Sequence, residues 1–143
     1  MRIAGGVLIV ILAMVAWGGQ TLSWMSPPTA VRWGLMENES DVEPAIWADI
    51  RGEARWDAFT LWTMVVAGLL LLNDQSAWPY FGLVGGGMYL YFAGRVVSTR
   101  LALRSGGFRI GSVASVRVAL AASVTWGAMA LGTIAAAVID LES

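Results

Sequence analysis

The chain contains no cysteine, no histidine and no lysine, so that all nine of its basic residues are arginine. Without cysteine there is no disulfide, thiolate nucleophile, iron–sulfur cluster or cysteine-ligated zinc. Without histidine the imidazole base, the haem-ligating imidazole and the commonest metal ligand are excluded. Without lysine, so are the Schiff-base amine and the P-loop amine. Any activity rests on carboxylates, hydroxyls, arginine or a bound ion. Charge is scarce as well: 13% of residues are charged and 57% are hydrophobic, where a soluble domain carries about 25% charged residues. With a mean hydropathy of +0.67, this is the composition of a membrane protein. Its 143 residues suit one transmembrane domain covering residues 1–143.

Four apolar runs are long enough to consider as spans, at about 1.5 Å per residue against a hydrocarbon core of about 30 Å. The first, residues 3–25, is interrupted only by Gln20, Thr21 and Ser23, and lacks the small-residue cleavage site of a signal peptide. Ser26, Pro27 and Pro28 then break the helix. The second span is expected at residues 56–73, extending the helix before it, with Trp56 and Trp62 at the interface. A short link makes a hairpin with the third, residues 80–97, and the fourth covers residues 113–139, with Ser112 as N-cap. The expected fold is all-α: an integral membrane four-helix bundle with a short interfacial amphipathic helix between spans one and two.

Arginines orient this bundle. Arg95, Arg100, Arg104, Arg109 and Arg117 crowd around the link between spans three and four, and Arg32, Arg51 and Arg55 lie between spans one and two. Positively charged loops stay in the cytoplasm, so both termini are expected outside, with the bacterial cytoplasmic membrane as the location. Arg2 alone then lies outside. Arg100, Arg104 and Arg117 are candidates for contact with lipid headgroups or another anion, Arg117 by snorkelling from one turn inside its span.

The polar connector holds most of the acids. Glu37, Glu39, Asp41 and Glu43 alternate as in half a calcium loop, but Val42 and Ala48 stand where an EF-hand needs glycine and glutamate, which points to a solvated acidic loop. From residue 44 to 57 the pattern is amphipathic. Trp47, Ile50 and Ala54 share one face, predicted to dip into the headgroup region, while Asp49, Glu53 and Asp57 at i, i+4 and i+8 form a carboxylate row facing water or a partner. That row is the weak candidate for an ion or ligand. Like charges at this spacing repel and call for nearby cations, and the expected partners are Arg100 and Arg104. In span three, Gly82 and Gly86 form a GxxxG, and Gly87 and Gly94 stand a heptad apart, marking a face for close helix packing within the chain or between copies. Small residues of span four, Ser123, Gly127, Ala128 and Gly132, are expected to meet it.

No cofactor motif, metal site or nucleic-acid-binding feature is present in the sequence. Three function classes fit. A non-enzymatic scaffold or accessory subunit, working through helix packing and contacts with membrane lipids as a homo-oligomer or in a larger membrane complex, needs no polar residues beyond those seen. An oligomeric carrier or channel for an ion or small molecule is the alternative. An intramembrane enzyme ranks third, with only Asp49, Glu53 and Asp57 to serve as acid or base.

Overall fold

In the computed structural model, which describes residues 2–142, the chain is 84% helical and has no strand among those residues. The helices are α1 (Arg2–Met25), α2 (Pro27–Arg32), α3 (Pro44–Thr60), α4 (Trp62–Leu72), α5 (Trp78–Ser105) and α6 (Val113–Leu141). Prolines set three of the starts, standing in the first turns of α2, α3 and α5, where a missing N–H costs nothing. Ser112 caps α6, its Oγ accepting from the Ser115 N–H as its type and position imply. Gly106 ends α5 and Gly107 follows with φ +77°.

Three helical stretches are long and apolar enough to cross a membrane: Arg2–Met25, Pro44–Leu72 and Val113–Leu141. The second joins α3 and α4, because Leu61 between them keeps helical dihedrals (φ −72°, ψ −15°). The connector helix and the second apolar run are therefore nearly one helix. Trp47 does not dip outward. It is buried with Ala30, Met36 and Val42, and Ile50 packs against the same cluster, because the connector folds back over this end of the molecule and covers the apolar face of α3. α5 is not among the three stretches; its glycines and tyrosines dilute the apolar residues.

α5 lies between α4 and α6, and α1 lies against α3 and α4. Glycine sits at three of these approaches, α1–α4, α4–α5 and α5–α6. A Cβ on Gly6 would meet Leu72 and the Gly68 carbonyl, and one on Gly68 would meet Ile9 and Val10, so α1 and α4 come together there. A Cβ on Gly85 would stand 2.8 Å from the backbone of Met64, and one on Gly86 2.5 Å from Ile134 and 3.3 Å from the Ala130 carbonyl. Small residues thus let backbones approach and exchange lipid contacts for protein contacts.

Aromatic donors tie α1 to the rest. The Tyr89 hydroxyl donates to the Ala13 carbonyl (2.9 Å), Trp126 Nε1 to that of Leu12 (3.0 Å) and Trp17 Nε1 to that of Ala58 (2.9 Å). Each places a ring in the core and gives its one polar atom a partner.

Candidate ligand groove at the arginine-rich end

The two ends of the molecule differ in charge. At one end Arg2, at the start of α1, pairs with Asp74 in the α4–α5 turn and with Asp140 near the end of α6, which also accepts from Trp78 Nε1. At the other end the connector between α2 and α3 meets the α5–α6 link. Val42 and Ile110 form a single antiparallel bridge, the Glu43 N–H donates to the Arg109 carbonyl, and the Gly111 N–H donates to that of Asp41. Gly111 is required there: its φ is +105°, and a Cβ would fall 2.5 Å from Glu37. The acidic connector and the arginines of the second link, far apart in sequence, are thus brought together.

Their pairing differs from the expected one. Asp49 and Glu53 meet Arg95, which donates to both Asp49 oxygens (3.0 and 3.1 Å) and contacts Glu53. Arg100 instead donates to Glu37 at 2.6 Å, with both side chains largely buried, and Arg109 lies 3.6 Å from Glu43. Arg104 and Arg117 are exposed and make no ion pair among the described residues. The i, i+4 spacing fixes which acids share a face of α3. The rotation of α5, which it cannot fix, turns Arg95 toward that face and Arg104 away.

The carboxylate row is also divided. Asp57 is only 6% exposed, and its Oδ2 makes no hydrogen bond among the described residues. It lies one turn deeper than the Arg95 cluster instead of facing water, because the helix continues into the apolar run and carries its third acid inside. Among the described residues no three acids converge as metal ligands would. Of the glycines, Gly82 and Gly86 are buried, Gly82 with Trp78 and Ala137 within 3.4 Å of a Cβ position, while Gly87 and Gly94 are exposed with nothing within 4 Å. Close packing inside the chain therefore excludes Gly87 and Gly94 and includes Gly85, whose role against α4 the GxxxG pattern misses. On α6, Ala130, Ile134 and Ala137 face the buried glycines; Gly127 approaches Ala93, and Gly132 meets nothing.

The ion pairs edge a groove of about 200 Å³ lined by α1, α3, α5, α6 and the connector. Phe92 and Trp126 stand on its wall, their ring centres 5.8 Å apart, and the Trp126–Leu12 hydrogen bond holds the indole in place. Gln20, Ser23, Thr99 and Ser123 also line it, and none of their side chains makes a hydrogen bond among the described residues. Ser23 and Ser123 are 4% and 2% exposed. Other hydroxyls in the helices, those of Thr21, Thr125 and Thr133, bond back to the carbonyl four residues earlier. In sequence Ser23 and Ser123 do not stand out from the nearby Thr21 and Thr125; that they face a common space depends on the packing of α1 and α6 around α5. No family model matches the chain, and no curated protein or solved structure matches it either.

Proposed function

We propose that this chain is a four-span integral protein of the bacterial cytoplasmic membrane, with both termini outside, acting as a non-enzymatic scaffold or accessory subunit through helix packing and lipid contacts. The observation that carries the reading is the apolar outer surface. Leu8, Ile11 and Val15 on α1, and Val118, Val124 and Leu131 on α6, are each more than half exposed. Two such faces in water would be aggregation sites, whereas in a bilayer they meet acyl chains or a neighbouring span. α5 serves as the fourth span on a geometric argument. Its ends reach both poles of the molecule, from Trp78 beside Asp140 to the link that pairs with the connector, and its 28 residues extend about 42 Å.

A carrier is the second reading, favoured by the groove beside Arg95 and Arg100. Copy number in nanodiscs cut directly from the membrane separates the scaffold from a lone chain. The scaffold reading expects particles holding more than one copy, or one copy with a second membrane protein in fixed ratio. Particles holding a single 15.2 kDa chain and lipid alone would overturn it.

A further inference from the structure

We propose that the groove lined by α1, α3, α5 and α6 binds a small monovalent organic cation, an ammonium group attached to a ring or a short hydrocarbon. This goes beyond the scaffold reading and does not depend on it. Size sets the first limit. A dry cavity of about 150 Å³ accommodates benzene, so a groove of about 200 Å³ accepts one ring with a compact charged group.

Charge sets the sign. Glu37, Asp49 and Glu53 line the groove together with Arg95 and Arg100, leaving one carboxylate in excess. Both guanidiniums are already engaged, Arg95 by two acids and Arg100 by Glu37. An anion would have to compete with those acids and add to the excess negative charge; a cation balances it. Phe92 and Trp126 line the same space, and aromatic rings attract a nearby organic cation.

The second, independent observation is the pair of serines. Ser23 and Ser123 are more than nine-tenths buried, line the groove from opposite helices and make no hydrogen bond among the described residues. Among the described residues only Asp57 Oδ2 is a fully enclosed side-chain polar atom without a partner, so the two serine oxygens still reach the open space of the groove, placed to turn their lone pairs toward a bound cation or to the waters it carries.

The test uses the full chain in detergent micelles and three probes of similar size: benzyltrimethylammonium, its neutral carbon isostere neopentylbenzene, and the anion phenylmethanesulfonate. Isothermal titration should show saturable binding of the cation, at least tenfold tighter than either control. Glu53→Gln should weaken it tenfold or more, and Glu43→Gln, outside the groove, should leave it unchanged. Because Glu53→Gln also removes a partner of Arg95, Ser123→Ala provides a second variant, expected to bind three- to tenfold more weakly with an unaltered melting temperature. Equal or tighter binding of the neutral or anionic probe, cation uptake that never saturates, or full affinity in Ser123→Ala would each overturn the proposal.

Discussion

Tyr89 on α5 and Ala13 on α1 are joined by a 2.9 Å hydrogen bond from the phenolic hydroxyl to the helix carbonyl, and the tyrosine is completely buried. α1 packs chiefly on α3 and α4, so this bond, like that of Trp126 on α6 to the Leu12 carbonyl, ties it to the far side of the bundle. Tyr89→Phe keeps the ring and removes the hydroxyl. The loss should be about 1 kcal/mol, the usual net value of one hydrogen bond, since the Ala13 carbonyl retains its place in the α1 ladder. Thermal unfolding in detergent should show a lower midpoint for Tyr89→Phe and none for Tyr91→Phe, whose side chain is exposed.

Glycine substitutions should sort by what a Cβ would strike. At Gly85 it meets the backbone of Met64, which cannot rotate away, so Gly85→Ala should cost about 1–3 kcal/mol as overpacking does. At Gly86 the nearest atoms belong to the Ile134 side chain, which can shift, and the cost should be smaller. Gly87→Ala and Gly94→Ala should leave the melting temperature unchanged or raise it, because both sites are open and alanine favours the helix. A Gly87→Ala loss as large as that of Gly85→Ala would place a neighbour at that face.

The Arg100–Glu37 pair, with its side chains 17% and 6% exposed, is the most buried ion pair among the described residues. Arg100→Gln should cost about 3 kcal/mol, because it leaves the Glu37 carboxylate without its cation. Arg104→Gln should change stability by less than about 0.5 kcal/mol, as exposed substitutions do. A double-mutant cycle should give coupling between Glu37 and Arg100 and additivity between Glu53 and Arg104.

Asp57→Asn should raise the melting temperature. The carboxyl is buried with Oδ2 unpartnered, and the isosteric amide carries no charge to desolvate. The expected gain is about 1 kcal/mol, with Asp49→Asn losing a little because Asp49 is held by Arg95. A large loss in Asp57→Asn would reveal a partner that stabilises the charged form.

The long helices, the break at Ser26, the Ser112 cap and the meeting of acidic and basic segments are legible in the sequence, because each depends on local chemistry or on gross charge; the short α2, which starts on the prolines expected only to break the helix, is not. The choice among arginines is not. Arg95, Arg100 and Arg104 occupy one helix, and only the rotation of α5 against α3 decides that Arg95 takes Asp49 and Glu53. Gly85 stands out in the sequence only as one of a dense set of glycines, and its contact with α4 is hidden for the same reason: a small-xxx-small pattern marks one face, whereas α5 is packed on two. The groove is less legible still, since Ser23 and Ser123 are 100 residues apart in sequence and share a wall only once α1 and α6 are in place.

Cysteine accessibility tests the membrane topology most directly, and the natural chain has no cysteine to interfere. Ser76 lies in the exposed α4–α5 turn, at the end that holds Arg2 and Asp140, and Ser105 ends α5 at the arginine-rich end. In intact cells a membrane-impermeant thiol reagent should label Ser76→Cys and spare Ser105→Cys until the membrane is permeabilised. Labelling of Ser105→Cys with protection of Ser76→Cys would invert the orientation, and labelling of both in intact cells would contradict a span formed by α5.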